Sequence, residues 1–561
     1  MANNWDEVNA ARHLTNSTAS SRRSPGVSMS ELQLHDDDGP GLPAERQDET
    51  LAGRPEYLTG FALWVSMVSL MLSIFLIAMD LTIVATAVPA ITNEFNSITD
   101  QAWYASAFFL TAGGFQSTWG KIYQSFPLKM SFFTAVFIFE VGSLICAVAP
   151  SSPAFIAGRV IAGFGSSGVG SGSYTIVAYI SEPKRRANHT AFLGAIFGIG
   201  SVLGPLVGGA FSTSLTWRWC FYINLPIGVP PVLGIIFFLR LPSIAKPQKT
   251  PLRERLLRLD PIGSIFLLGG IVTYLLAVQM GGVTRPWNSG TVIALLVVCF
   301  VACTLFGLVE WWQDERATVV PRLFGNRFVG MSMVYICFQG GALFSMVYYL
   351  PLYFQAILGD SAVLAGAHNL AFIIPAMAAV LVSGVIVTNT GLATLTMVVG
   401  SAIGTLGCGL CYLFDINTTT GVWVGVQIVA GVGLGFGFQV PLMAAQASVK
   451  PADLPAATAM LMEFQTLGGA IWVSATQAIF LNRVLINLPK MAPTVNPEQL
   501  LAIGAGDLRK VFESDELMGV LDAYSDGIQS AFLLICAVTG VSIMAGLVIP
   551  LRRIDTARID A

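Results

Sequence analysis

Long apolar runs separated by short polar breaks repeat from residue 62 to residue 550. A helix needs about 20 mainly apolar residues to cross a bilayer, because each residue advances it by only about 1.5 Å. Segments of that kind are predicted at 62–88, 101–123, 130–149, 154–180, 190–212, 220–240, 262–282, 290–312, 328–353, 364–388, 393–414, 421–445, 457–480 and 527–550. The pattern predicts an all-α membrane protein with fourteen transmembrane helices. Ahead of the first run, residues 1–55 are polar and are expected to form a disordered tail. They contain no cleavable signal sequence, so the first apolar helix is expected to direct insertion.

Composition agrees with this pattern: 54% of residues are hydrophobic, 11% are charged and mean hydropathy is +0.68, far from a soluble globular protein. The net charge is only -3, most charged residues lie in tails and loops, and no basic patch suited to nucleic acid appears. All eight cysteines (Cys146, Cys220, Cys299, Cys303, Cys337, Cys408, Cys411, Cys536) fall in apolar stretches, which argues against a disulfide framework. Cys408 and Cys411 have the C-x-x-C spacing but no accompanying His or second pair, so helix packing is the favoured reading over metal or redox chemistry.

Positively charged loops stay in the cytoplasm. With both termini inside, the cytoplasmic segments carry 23 Lys and Arg and the outer segments six. An internal repeat appears at an offset of about 260–270 residues. Gly120-x-Ile122 before Leu128 recurs as Gly384-x-Ile386 before Leu392, R-V-I-A-G-F-G from Arg159 recurs as Q-I-V-A-G-V-G from Gln427, and Pro89 answers Pro351. The predicted organisation is a tail (1–55), an N-terminal six-helix bundle (56–240), a linker with two extra transmembrane helices (241–326), a C-terminal six-helix bundle (327–552) and a second tail (553–561). The two extra helices are expected at the periphery.

Span 5 contains G-S-V-L-G-P-L-V-G-G, with Gly200, Gly204, Pro205, Gly208 and Gly209. Glycines at every fourth position make a smooth face that another helix can approach closely. Proline removes a backbone donor and allows a bend. A helix of the C-terminal half is the expected partner, which would make this seam a gate.

This pattern resembles the antiporter motif of the major facilitator superfamily, and other stretches resemble the same family in the same order. Met79-Asp80-Leu81-Thr82-Ile83-Val84-Ala85-Thr86-Ala87-Val88-Pro89 resembles the span 1 signature of its fourteen-span drug:proton antiporter branch. Gly158-Arg159, leading into Gly163, Gly165 and Gly168, resembles the span 4 motif, whose arginine the resemblance implicates in proton transfer. Trp217-Arg218-Trp219 through Asn224-Leu225-Pro226-x-Gly228, Leu259-Asp260-x-x-Gly263 and Tyr349-Leu350-Pro351-x-Tyr353-Phe354-Gln355 fit the entrances to spans 6 and 7 and the end of span 9. Within the branch, Q-T-L-G-G-A from Gln465 and F-E-V-G-S-L from Phe139 resemble fungal exporters of toxins and secondary metabolites. The resemblance, over roughly residues 58–552, implies a major facilitator fold and proton-coupled export of drug-like small molecules. One departure stands in the cytoplasmic loop that holds Gly120, Lys121, Gln124 and Lys129: Gln124 replaces the usual Asp, so a gating salt bridge does not carry over there.

Four ionisable residues fall well inside spans: Asp80, Glu140, Arg159 and Glu463. A charge at such depth costs at least about 2.5–3.5 kcal/mol on insertion scales, which marks each as a functional candidate. At 1.5 Å per residue, Asp80, Glu140 and Arg159 share one layer roughly 10–16 Å below the outer surface. They are the candidates for proton coupling, against the alternative of a structural ion pair. Gln116, Gln339, Tyr348, Gln355, Gln439, Glu463, Gln465 and Trp472 are the candidates for a substrate cavity, because small-molecule sites are mostly apolar with a few orienting polar groups. A bulky amphiphilic substrate would suit them. Asn417-Thr418-Thr419 is a glycosylation sequon on the expected outer side, in a loop so short that occupancy is not expected.

No H-E-x-x-H or phosphate-binding loop is present and the four histidines are scattered, so an enzyme, a metal site and a bound cofactor are not expected. Proton-coupled uptake, as by siderophore importers, and a transporter-like receptor are the alternatives to export. The expected partners are a small-molecule substrate, protons and the lipid bilayer, with a monomer as the expected unit. The plasma membrane is the expected location, with a vesicle or vacuole membrane as the alternative.

Overall fold

In a bilayer every backbone N–H and C=O must be satisfied within the chain. The computed structural model, which describes residues 57–95, 100–242, 245, 251–502, 506, 508–512 and 514–551, meets that demand almost entirely with helices. The tails expected over 1–55 and 553–561 lie outside the described residues. The long helices are α1 (Gly60–Phe95), α2 (Gln101–Gly114), α3 (Gln116–Ser125), α4 (Leu128–Val148), α5 (Ser152–Ile180), α6 (Pro183–Ser214), α7 (Asn224–Phe238) and α8 (Pro261–Met280). They continue as α9 (Gly290–Gln313), α10 (Arg327–Tyr353), α11 (Ala362–Thr390), α12 (Ala393–Leu410), α13 (Thr420–Phe438), α14 (Val440–Ser448), α15 (Leu454–Met491) and α16 (Ser514–Val548).

Twelve helical segments among the described residues are long and apolar enough to cross a membrane. The other two expected spans are helical as well, and each fails that measure for a local reason. Span 2 is divided into α2 and α3 at Phe115, just after the Gly113-Gly114 pair that weakens the helix there. Span 4 is the 29-residue α5, whose many glycines and serines lower its hydropathy. Those same small residues let it sink into the interior, where nearly its whole second half is buried.

The glycine seam of span 5 corrects the expected packing. A Cβ at Gly204 would lie 2.1 Å from Thr82 Oγ1 and 2.9 Å from the Met79 carbonyl, while Gly200 and Gly208 meet Phe75, Ala78, Ile83 and Thr86. All of these belong to α1, in the same half of the chain. The C-terminal half is met by a different face of α6, where Gly194 lies against Gln439 and Gly198 against Met377. At about 100° per residue, Gly198 and Gly200 point to nearly opposite sides of the helix. Four-residue spacing shows that some backbone comes close without saying which one.

The repeat legible in the sequence reappears as paired contacts between the halves. Gly120 of α3 packs on Ala459 of α15, and its counterpart Gly384 of α11 packs on Ala191 of α6. Gln124 Nε2 donates to the Ala452 carbonyl at 3.0 Å, and Thr388 Oγ1 donates to Asn188 Oδ1 at 3.0 Å. Gln124 and Thr388 stand 264 residues apart, and so do Asn188 and Ala452. Two clasps, related by the repeat, therefore join the halves at the end of the molecule that carries most of the Lys and Arg, here called the basic end.

The inserted helices lie outside this pairing. α9 packs chiefly on α8 and turns Val297, Val298, Phe300 and Leu308 outward, with Trp311 and Trp312 each 78% exposed near the basic end. Such a surface suits lipid, with indoles at the interfacial level. α8 bridges the halves: Leu268 fills the space beside Gly114 of α2, and Tyr274 Oη donates to the Ile471 carbonyl of α15 at 3.1 Å.

Gly204→Leu is expected to act on stability rather than on gating alone. Overpacking typically costs about 1–3 kcal/mol, and here the obstruction is backbone of α1. The detergent-solubilised variant should melt at a lower temperature and yield less folded protein. Parental melting would show that α1 and α6 can separate freely.

Candidate functional site

The deepest charges lie in the N-terminal half, and the fold brings them together. Asp80 and Arg159 are both fully buried, and Arg159 Nη1 donates to Asp80 Oδ2 at 2.6 Å. Arg159 Nε donates to the Tyr104 carbonyl at 3.1 Å, and the guanidinium carbon lies 4.3 Å from the centroid of the Phe108 ring. Asn224 Nδ2 donates to Asp80 Oδ1 at 2.9 Å and to Ser143 Oγ at 3.1 Å. The pair is thus enclosed by hydrogen bonds and an aromatic face, which a charge pair out of water requires. Glu140 lies one turn before Ser143 on α4. Both its carboxyl oxygens are buried without a hydrogen-bond partner, and Gly228 of α7 makes room for it, since a Cβ there would lie 2.0 Å from Oε1.

Among the described residues, no buried ion pair answers Asp80–Arg159 in the C-terminal half. The residue that repeats Arg159 is Gln427, fully buried, with neither amide atom partnered. Gln339 instead joins a neutral cluster, accepting from Ser401 and Ser542 and donating to the Leu434 carbonyl.

The candidates for a substrate cavity divide into groups. Gln116, Gln439 and Glu463 meet at the seam between the halves. Glu463 Oε2 accepts the Ser117 N–H at 3.0 Å, Gln116 Oε1 accepts Thr466 Oγ1 at 3.3 Å, and Gln439 Nε2 donates to Tyr174 Oη at 3.0 Å. Glu463 thereby serves the start of α3, where the first N–H groups have no partner within the helix and a negative charge is favoured. Gln465 stays within its own half, packed on Gly340 and donating to the Phe438 carbonyl. Trp472 turns back onto α10, its ring tilted 37° to that of Phe338 with centroids 5.2 Å apart, and Gln339 is enclosed in its own half. Tyr348 is 53% exposed. Gln355 sits in a π-helix (Phe354–Leu358) at the opposite end, close to Gly506 and away from the seam.

In the loop after span 2, Lys121 is buried and donates to the Glu315 carbonyl, Gln124 forms the clasp to Ala452, and Lys129 donates to the Ile236 carbonyl. Asn417 is exposed in the α12–α13 loop, its N–H bound to Asp415 Oδ1. The sequence reading passed over Tyr174, Ser143 and Phe108, which complete these networks. Ser143 carried a signal, standing three residues after Glu140 on one helix face; Tyr174 and Phe108 carried none.

The sequence profile of the Major Facilitator Superfamily matches residues 70–473. Similar proteins include the MFS-type transporter thnB of Trichoderma harzianum, 44% identical over 88% of this chain and 85% of that protein. Another is the probable efflux pump gsfJ of Penicillium aethiopicum, 42% identical over 90% of this chain and 91% of that protein. The fold is similar to the crystal structure of the human organic anion transporter MFSD10, with a TM-score of 0.56 at 13% identity, covering 87% of this chain and all of that one.

Arg159→Leu is expected to lower stability by about 3–5 kcal/mol, because it leaves Asp80 buried without its countercharge. Adding Asp80→Asn should return part of that loss. Melting temperatures of the single and double variants in detergent test this, and a double variant less stable than Arg159→Leu would contradict it.

Proposed function

The chain belongs to the Major Facilitator Superfamily, and we propose that within it the protein exports small amphiphilic molecules by proton-coupled alternating access. It is a multi-pass membrane transporter and not an enzyme. Export follows the relatives named as efflux pumps at about 40% identity over nine-tenths of the chain. The excess of Lys and Arg assigns the basic end to the cytoplasm.

The observation that carries proton coupling is the Asp80–Arg159 pair with Glu140 beside it, present in one half and replaced by neutral groups in the other. A purely structural polar core needs no charge, as the Gln339 cluster of the C-terminal half illustrates. An ionisable carboxyl there can take up a proton when one face is open and release it when the other is. Coupling between two ligands is reciprocal. A substrate that prefers the deprotonated form promotes proton loss, and acid on the outer side then drives export. In this reading Gln116, Gln439 and Glu463 present the polar contacts of an otherwise apolar path between the halves.

Asp80→Asn is expected to keep substrate binding to within about tenfold and to lose transport driven by a pH gradient. Purified protein in liposomes with an imposed gradient supplies the measurement. An Asn variant that still concentrates substrate against its gradient would make the pair structural and move attention to Glu140 and Glu463.

A further inference from the structure

The two clasps at the basic end differ in one respect. Among the described residues, the recorded contacts of the α6–α11 clasp join those two helices directly, whereas the α3–α15 clasp is crossed by the chain that follows the inserted helix pair. That crossing is anchored by Asp260, at the start of the inserted pair, which adopts a left-handed backbone (φ 47°) uncommon for a residue other than glycine. Its carboxylate accepts the Gly263 N–H at 2.8 Å, the side-chain amide of Gln313, and both the N–H and the hydroxyl of Thr318 at 3.1 and 3.0 Å. Glu310 Oε2 accepts the Val319 N–H at 2.6 Å. The two acids tie the start of α8 and the end of α9 to residues 317–323. There Ala317, Thr318, Val320 and Leu323 are buried, Val320 and Leu323 within the core that includes α3, α5 and α15.

Charges flank this buried strap. Lys121 of α3 donates to the Glu315 carbonyl at 2.8 Å. Arg322 donates to Glu315 Oε1 at 2.6 Å and takes both oxygens of Asp453, at the start of α15, at 3.1 and 2.9 Å. Asp453 and then Glu315 raise the pKa of the Arg322 guanidinium above its ordinary value. A path of contacts therefore runs from one half (Lys121), through the insert (Glu315, Arg322), to the other (Asp453). At the second clasp the residues 264 positions from Lys121 and Asp453 are Val385 and His189, which cannot repeat the arrangement.

We propose that the inserted helix pair is a lock on the transport cycle: it anchors residues 314–324 as a strap across the α3–α15 clasp, and Arg322 is the latch that holds this side shut. The inference rests on the alternating-access reading. It gives the two extra helices a mechanical role and supplies a charge latch where Gln124 offers only a neutral hydrogen bond. The α3–α15 side then opens only when the Arg322 pairs break, while the α6–α11 side acts as hinge.

Spin labels at Met130→Cys on α4 and Leu395→Cys on α12, both exposed in opposite halves near the basic end, report its opening when the eight native cysteines are replaced. Distances are measured on the full-length purified protein in acid and in alkaline buffer. Arg322→Ala is expected to raise the ratio of long to short distances about threefold, the effect of losing a modest ion pair. Asp453→Ala should do the same, and the double variant no more than either single, since the Arg322–Asp453 pair, which alone joins the strap to α15 through Arg322, is lost in all three. An unchanged ratio in Arg322→Ala, or effects that add in the double variant, would overturn the lock while leaving alternating access intact. A parent protein that holds one distance in every buffer would overturn both.

Discussion

Lipid tails offer helices no hydrophobic reason to associate, so the assembly depends on backbones coming close enough for van der Waals contact and interhelical hydrogen bonds. Glycine and alanine permit that approach wherever the structure needs it. Gly200, Gly204 and Gly208 join α6 to α1, and Gly120 and Gly384 join the halves through Ala459 and Ala191. The first seam builds one bundle. The second pair forms the clasps between the bundles. A transporter needs both kinds of contact, and the same residue types supply them. What separates them is the helix they face: Gly204 is overlain by α1 of its own half, whereas Gly384 meets α6 of the other half.

Polar groups are distributed unevenly over this near-symmetric frame. Asp80, Arg159 and Asn224 form a closed network in one half, while the other answers with Gln427, Gln339 and serine hydroxyls. Burying ions without full compensation is costly, and here the two charges are paired, with only Asn224 Oδ1 left without a partner, while the neutral Gln427 has both amide atoms unpartnered. Glu140 and Glu463 differ in their surroundings. Glu140 is held within the bundle without a partner, and Glu463 reaches across the seam to the start of α3. An acid at the seam senses the relative position of the halves in a way that one inside a bundle does not.

The insertion breaks the symmetry in a second way. Two helices mostly facing lipid would add little to a cavity between bundles, but their ends at the basic side fold back over one clasp. Buried acids on α8 and α9 fix that return, and exposed charges at its margin connect it to both halves. The buried part of the strap supplies attachment, and the exposed part supplies pairs weak enough to break during a cycle.

Much of this was legible in the chain alone. Hydropathy marked the helical segments because a bilayer fixes their length, and the repeat fixed which residues correspond, down to Gln124 with Thr388. Asp80 and Arg159 stood out because a charge at membrane depth is expensive. Tertiary structure decided the partners. Glycine spacing defines a face but not the helix that meets it, so the seam of α6 turned inward to α1. Glutamines on several helices look alike in sequence, yet Gln116 and Gln439 reach the seam while Gln355 lies at the far end, because helix rotation and depth set where a side chain points. The strap over 314–324 reads as an ordinary connecting loop, and only long-range contacts from Lys121, Asp260 and Asp453 reveal it. Periodicity is a local property of a chain; pairing between residues hundreds of positions apart is not.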